Sequence, residues 1–176
     1  RKRVDMLGFC PICEKETELV HIQHPEEIVV RGEPIIINGD FYRCTSCNSE
    51  FDNPDPEYDP LDIAYEEYRK IKGMVHPSQI RDFRKKYDLT QKELSALLGL
   101  GEVTLSRYEN GSLQDEAHDR LLQLVMEPFN LSCLVKQKDG IFSKEKREQL
   151  LSFLGREIVV SDIFIRLFYS RTPNIF

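Results

Sequence analysis

The sequence predicts an α+β fold in which a small antiparallel β domain is followed by an all-helical domain of five short helices. Three observations predict it. Two Cys-x-x-C pairs bracket 30 residues of short apolar or alternating runs, which favours a small sheet with the cysteines at its ends. An acidic stretch with three prolines follows at residues 52–60. From residue 77 onward the apolar side chains recur at helical spacing, with Thr, Asn and Gly near the expected helix ends.

The composition is that of a soluble globular protein. The chain has 176 residues, of which 40% are hydrophobic and 31% charged. Its apolar runs are too short to span a bilayer, and no signal-like stretch opens the sequence, so a cytoplasmic protein is expected. In that compartment the five cysteines are expected as thiols or metal ligands rather than as disulfides. The chain begins at Arg1 rather than Met, and residues 1–3 are given no functional weight.

The charge is uneven along the chain. The formal net charge is −6, which is unusual for a protein that binds DNA, because affinity comes largely from neutralised phosphates. Residues 48–72 carry eight acids and three bases, whereas residues 76–111 carry five acids and six bases. The acidic excess therefore lies outside the stretch in which we expect nucleic-acid contacts. It either keeps the chain soluble or suits a basic partner.

Four segments follow from these patterns. Residues 1–51 form the cysteine-containing domain, in which Asn38-Gly39 between two strand-like runs predicts a hairpin turn. Residues 52–76 form an extended acidic linker and a helix at 61–72. Residues 77–138 form the helical domain, with helices at 78–86, 90–98, 102–109, 115–126 and 128–137. Residues 139–176 form a C-terminal helical extension of unknown role, in which a helix at 143–153 precedes an apolar run, 158–169, that suits either a helix or a strand.

The two Cys-x-x-C pairs predict one metal site. Each pair places two thiolates on one tight turn, and two turns together give the tetrahedral set of four thiolates that Zn²⁺ prefers. The predicted ligands are Cys10, Cys13, Cys44 and Cys47. Four thiolates leave no open coordination position, so the one zinc ion per chain is expected to be structural. A redox dithiol pair and an iron–sulfur centre are the competing interpretations. Cys133 is expected to be a core residue.

Residues 89–111 predict a helix-turn-helix. Thr90 and Glu93 form a capping-box pair at the start of the first helix, and Gly99 ends it. A second short helix, 102–109, has Leu105 and Tyr108 inward and a polar outer face. Two such helices joined by a glycine-containing turn can lay the second helix in the major groove of DNA. The alternative interpretation is an ordinary pair of antiparallel helices.

The residues T-Q-x-E-L followed by S-R-Y-E-N-G resemble the Cro/lambda-repressor (XRE) family over about residues 77–137. The resemblance implies that Arg107, Val103, Glu102 and Thr104 reach base edges. Arg107 is the first candidate, because arginine binds guanine O6 and N7 with two hydrogen bonds. Its alternative is a surface ion pair with Glu109 or Glu102. Contacts to phosphates are expected from Gln91, Lys92, Arg81, Arg84, Lys85 and Lys86.

The whole layout resembles the MqsA-type antitoxins of bacterial toxin–antitoxin operons. The likeness rests on the four-cysteine (YgiT-type) zinc unit, an acidic linker helix and an XRE domain containing G-x-V-x-x-S-R-Y-E-x-G. It implies a structural zinc, a dimer that binds a palindromic DNA operator and represses transcription, and an N-terminal part that binds a toxin protein. This chain has Val103 where the founding member has asparagine, so its operator is expected to differ.

Two other functions remain open on the sequence. One is a stand-alone zinc-containing transcription regulator, and the other is a protein-interaction module that has no toxin. An enzyme is not expected, because the sequence offers no open metal position, glycine-rich phosphate loop or evident nucleophile–base pair.

Overall fold

The structure is a computed structural model that describes the backbone of residues 6–169 and the side chains of residues 6–160. The chain divides after Gly73 into two compact units. Among the described residues, the first unit contains a four-stranded sheet and one helix, and the regular elements of the second are all helices. The α+β fold class is therefore confirmed. Within the described part of the chain, none of the helices is both long enough and apolar enough to cross a membrane.

The first unit contains an antiparallel sheet with strand order β1-β2-β3-β4. A long two-stranded ribbon dominates the sheet, because β2 and β3 pair along twelve residues from Leu19↔Cys44 to Val30↔Glu33. The strands are β1 (Met6–Cys10), β2 (Lys15–Val30), β3 (Glu33–Cys44) and β4 (Glu50–Asp52).

The ribbon turns at Arg31 and Gly32, whose φ angles are +52° and +83°. Two residues with positive φ match the right-handed twist of the flanking strands. The hairpin turn predicted at Asn38-Gly39 is therefore wrong, since β3 runs straight through these residues. Gly39 serves close packing instead. A Cβ atom there would lie 2.6 Å from Glu26 Oε2 and 2.7 Å from the Phe41 ring.

Helix α1 (Pro60–Lys72) packs against β2 and β3. The Asp59 side chain caps its N-terminus, and Gly73 ends it in the left-handed conformation at φ +63°. Its inner face buries Ala64 and Tyr68, while the strands contribute Val30, Ile35 and Ile37 to the core. The segment between sheet and helix is also tied down, because the Asp40 backbone N–H donates to the Tyr58 hydroxyl at 2.8 Å.

The second unit contains six helices around one core. Capping interactions at each terminus determine where these helices begin and end. Both halves of the predicted Thr90–Glu93 capping box form, and Gly99 ends α3 in the left-handed conformation at φ +72°. His76 and Gln79 make a second capping box at the start of α2. The helices are α2 (Pro77–Lys86), α3 (Gln91–Leu98), α4 (Glu102–Glu109), α5 (Glu116–Val125), α6 (Pro128–Gln137) and α7 (Lys144–Tyr169).

The core of this unit draws on every helix, and its fully buried side chains are those of Ile80, Leu94, Leu97, Leu105, Leu122, Val125, Leu131, Val135 and Leu154. Helix α7 is one continuous helix. Its backbone is therefore helical over residues 158–169, for which the sequence suited either a helix or a strand. It packs against α6 and inserts Leu150 and Leu154 into the core. The C-terminal segment is thus part of the helical unit as far as residue 154. The predicted extension continues to residue 176, and its last seven residues lie outside the described residues.

Candidate metal centre and nucleic-acid interface

The four predicted cysteines come together at one end of the ribbon. Their sulfur atoms all lie within 4.8 Å of one another. Cys10 Sγ is 3.8 Å from Cys47 Sγ, and Cys13 Sγ is 3.9 Å from Cys44 Sγ. Four sulfurs bound tetrahedrally to a metal at about 2.3 Å would be separated by about 3.8 Å. The spacing therefore fits a tetrahedral metal ion, and all four positions are taken by protein ligands.

Strand pairing brings the two cysteine pairs together. Cys10 ends β1 and Cys44 ends β3, and both strands flank β2. Each Cys-x-x-C turn, or knuckle, has the same local form. The backbone N–H of Glu14 donates to the Cys10 carbonyl at 2.9 Å, and that of Asn48 donates to the Cys44 carbonyl at the same distance. Glu14 and Asn48 both have positive φ, 56° and 60°, which tightens the chain after each pair.

The backbone around Cys44 favours a thiolate. The N–H groups of Ser46 and Cys47 approach its sulfur at 3.3 and 3.4 Å. Burial opposes ionisation, but these N–H groups prevail and lower the pKa of Cys44 to about 6. Burial raises the pKa of the Cys13 thiol to about 12, as do the hydrogen bonds from the neighbouring cysteines. Four sulfurs this close cannot all ionise without a cation between them, which is the expected behaviour of a metal cage.

Hydroxyl groups fasten the second knuckle to the sheet. The hydroxyls of Thr17 and Ser46 lie 2.8 Å apart, and Thr45 donates from its hydroxyl to the Glu18 carbonyl at 2.9 Å. These contacts account for the short polar residues Thr45 and Ser46 of the second loop. Cys133 lies in α6, away from the cluster, and is half-buried.

Helices α3 and α4 follow one another across a short connection that contains Gly99 and Gly101, and they are the two helices for which the sequence predicts a helix-turn-helix. Leu105 and Tyr108 face the core, while Glu102, Val103 and Arg107 are exposed and Thr104 is half-buried. The side chain of Gln91, at the start of α3, joins the outer face of α4. Together they line a shallow open depression, whose walls are Gln91, Glu102, Val103, Ser106, Arg107, Asn110 and Ser112. Three of the four predicted base-reading residues and one predicted phosphate contact therefore share one surface.

Arg107 forms no ion pair within the described part of the chain. Neither acid considered as its alternative partner pairs with it. Glu102 lines the same depression but forms no ion pair with it, and Glu109 is only 2% exposed and accepts hydrogen bonds from Arg84 and Gln91. The guanidinium group of Arg107 is therefore available to an external ligand.

Glu109 links three helices, a role that the sequence analysis did not assign to it. Its carboxylate accepts hydrogen bonds from Arg84 Nε at 2.8 Å and from Gln91 Nε2 at 2.7 Å, and its carbonyl accepts one from Arg81. Burial opposes ionisation of Glu109, but the bonds from Arg84 and Gln91 lower its pKa overall. This network joins α2, α3 and α4. The sequence could have indicated that Glu109 is buried, because it lies four residues after the inward Leu105 and therefore on the same side of α4.

The residues predicted to contact phosphates differ in whether they already have a partner within the protein. Arg84 and Arg81 bond to Glu109, and Lys86 pairs with Glu157 of α7 at 2.7 Å. Lys85 and Lys92 are exposed and form no ion pair within residues 6–160. The free positive charges near the helix-turn-helix are thus fewer than the sequence suggests. Gln91 is oriented by Glu109 before any ligand arrives.

Comparisons with known proteins place these observations in context. The family model described as the antitoxin component of the bacterial toxin–antitoxin system, MqsA, matches residues 9–131. The match includes all four cysteines and both helices of the helix-turn-helix. The chain is also 38% identical over 53 residues to antitoxin PezA of Streptococcus pneumoniae serotype 4 (strain ATCC BAA-334 / TIGR4). That alignment covers 30% of this chain and 32% of the relative, so the chain spans about a third of the relative's length.

Proposed function

This chain belongs to the MqsA family of antitoxin components of bacterial toxin–antitoxin systems, and we propose that it represses transcription by binding operator DNA as a homodimer. The predicted resemblance to MqsA-type antitoxins is confirmed by the match over residues 9–131. Membership of an antitoxin family supports a regulatory role rather than catalysis. The proposal adds DNA binding, dimerisation, a zinc ion and a toxin partner.

The observation that carries the proposal is the outer face of α4. Arg107 is exposed and unpaired within the described part of the chain, and it shares a surface with Val103, Glu102 and Gln91. Arginine can donate two hydrogen bonds to guanine, valine can contact a thymine methyl group and glutamate can accept from cytosine. Gln91 and the exposed Lys85 and Lys92 would contact phosphates, which position the helix without reading sequence.

The metal ion is proposed to be zinc. Four sulfurs in a closed tetrahedral set favour Zn²⁺, which has no need of an open position when its role is structural. When bound, the ion would join the two knuckles and hold β1 and β3 against β2. It would contribute to folding and not to chemistry.

A homodimer is proposed because helix-turn-helix proteins usually read palindromic sites with two copies of the second helix. The two copies would lie about 34–36 Å apart, which is one turn of DNA. An acidic chain gains affinity from dimerisation, since each monomer offers few free cations to the phosphates.

Arg107→Ala tests the DNA-binding proposal. In fluorescence anisotropy with the DNA upstream of the chain's own gene, the variant is expected to bind about tenfold or more weakly and to lose sequence preference, because it loses the contact to guanine. Arg120→Ala is the matched control, because Arg120 is exposed on α5 of the same unit. Equal affinity and specificity for the Arg107 variant would refute the assignment.

A stand-alone regulator or protein-interaction module is the second candidate. The acidity of the first unit, whose residues 1–73 carry 16 acidic and nine basic side chains, disfavours binding to DNA and so favours the interaction module of these two. Co-purification with the product of the adjacent gene distinguishes an antitoxin from a regulator that has no toxin.

A further inference from the structure

Strand β1 lies at an edge of the sheet, with β2 as its only neighbour among the described strands. Natural edge strands usually carry charges, proline or a bulge, which prevent another strand from pairing with them. The sequence of β1, MLGFC, has neither charge nor proline. The opposite edge, β4, is only three residues long and carries Glu50 and Asp52. The β4 edge is thus protected against pairing with another strand, whereas the β1 edge is open to it.

The side chains of β1 also lack cover. Leu7 is 71% exposed and Phe9 is 59% exposed, and alternation along the strand places both on one face of the sheet. Met6 and Phe9 also border an apolar cavity of about 450 Å³, which Leu19 and Phe51 line as well. A strand added beside β1 would therefore meet apolar side chains at this edge.

The charge around the β1 edge indicates which class of partner it can bind. Leu7 pairs across the sheet with Glu18, and Phe9 pairs with Glu16. Both glutamates are exposed, and Glu14 lies next to them. The first unit, residues 1–73, carries 16 acidic and nine basic side chains, which gives it a formal charge of −7. Such a surface repels nucleic acid and a second copy of the same unit, and it attracts a basic protein.

We propose that β1 is a docking edge that accepts an extended strand of a basic partner protein. Main-chain hydrogen bonds to the free side of β1 would supply affinity, and apolar side chains of the incoming strand would cover Leu7 and Phe9. Basic residues of the partner would meet Glu16 and Glu18. The inference rests on the proposed antitoxin function, under which this partner is the cognate toxin.

A metal ion bound by the four cysteines would keep β1 in its pairing register with β2. Strand β1 ends at Cys10, which is fully buried in the cluster, and Pro11 and Cys13 follow directly. Loss of the cage would release the strand from β2 at this end. Binding of the partner therefore depends on the metal through the position of β1, without any contact between partner and metal.

The test uses the full chain and the purified product of the adjacent gene. Isothermal titration calorimetry is expected to show at least about a tenfold rise in Kd for the double variant Leu7→Lys/Phe9→Lys, because the incoming strand meets charge instead of apolar surface. The matched control is Val29→Lys/Ile36→Lys, which adds the same charge to the first unit at residues that are 63% and 59% exposed near the turn of the ribbon. The control is expected to change Kd less than about twofold. Equal metal content and circular dichroism check that each variant is folded.

Hydrogen exchange of the wild-type complex provides a second readout, since added strand pairing should slow exchange of amides in residues 6–10. Wild-type binding that leaves these amides unprotected and is unaffected by the double variant would overturn the docking edge and leave the antitoxin function standing. Absence of any wild-type binding would overturn both. Concentration-dependent dimerisation that the double variant abolishes would show that β1 accepts a second copy, which would also overturn the proposal.

Discussion

A single buried carboxylate organises the predicted DNA-reading surface. Glu109 joins three helices, because Arg84 and Arg81 come from α2 and Gln91 comes from α3. A buried charge is tolerated only when it is paired and hydrogen-bonded. The arrangement ties α2 and α3 to α4, and it holds the side chain of Gln91, which lines the surface that Arg107 shares.

Replacement of Glu109 by Gln tests this role. The change is expected to lower the free energy of unfolding by about 3 kcal/mol at neutral pH, because it leaves the partly buried Arg84 without its counter-charge. Urea unfolding followed by circular dichroism measures the difference. Glu102→Gln is the matched control, since Glu102 lies on the same helix and is exposed. Equal destabilisation by both variants would contradict the proposed role.

The same residue sets a pH dependence. The pKa of Glu109 lies below its usual value of 4.5 in the folded protein. Ionised Glu109 therefore stabilises the folded state above that value, and the stabilisation is lost as the pH falls through the folded-state pKa. The Glu109→Gln variant is expected to show a flatter decline of stability below about pH 4.5.

At the level of single residues, the sequence predicts which chemical groups are present better than it predicts which groups they contact. The cluster of four cysteines could be predicted because Cys-x-x-C is a local pattern with few structural uses. The partner of Arg84 could not, because a phosphate outside the protein and a carboxylate inside it attract arginine equally. Only the packing of α2 against α4 brings Arg84 within 2.8 Å of Glu109.

Helix α7 is the element that extends the helical unit beyond the family match. It starts at Lys144, whereas the match ends at residue 131. Lys146 pairs with Glu93 of the α3 capping box at 2.9 Å, and Glu157 accepts a hydrogen bond from the Tyr87 hydroxyl at 2.6 Å. Together with buried Leu154, these contacts brace the N-terminal end of the helix-turn-helix.

Leu154→Ala is expected to lower the free energy of unfolding by about 2–5 kcal/mol, because it leaves a cavity in the core. Val159→Ala, in the same helix at a position that is 56% exposed, is expected to change it by less than about 0.5 kcal/mol. Urea unfolding of the two variants gives the comparison. Similar midpoints would show that α7 is not part of the core.

Helices were more predictable than strands. The five predicted helices of residues 77–138 agree with the structure to within about one residue at each end, because caps such as Thr90 and Gly99 act locally. The turn of the ribbon was misplaced, because Asn38-Gly39 carries a hairpin signal that long-range pairing overrides. Pairing across Arg31 and Gly32 lets Ile35 and Ile37 face α1, which the local signal could not reveal.

The molecule as a whole consists of two units with separate cores. The helical core contains no residue of the sheet, and the sheet is organised around the cysteines and α1. A sheet of this size has little apolar surface to bury, so a metal is expected to supply much of its stability. The helical unit has no such requirement.

Metal analysis and chelation test this division. Protein purified without added zinc is expected to contain about one zinc ion per chain, and Cys44→Ser is expected to lose most of it. Cys133→Ser is the matched control and should retain the metal, since Cys133 lies outside the cluster. Less than about half a zinc ion in the wild type, or an iron chromophore, would contradict the assignment.

Removal of the metal should unfold the sheet and leave the helical unit intact. Circular dichroism should retain the helical signal, and operator binding should persist, while amides of residues 6–52 lose protection from hydrogen exchange. Cooperative loss of both units would contradict the division.

The turn at Arg31 and Gly32 decides which parts of the chain meet at the cysteine cluster. Cys13 and Cys44 are separated by 30 residues, and holding the ends of such a loop together carries an entropic cost. Pairing that begins at the turn can instead advance residue by residue along the ribbon, and each step closes only a short loop. The two knuckles then arrive together as the last strand residues pair. Pairing along the ribbon thus meets the entropic cost of bringing the two cysteine pairs together, and an ion bound between them would stabilise the end at which they meet.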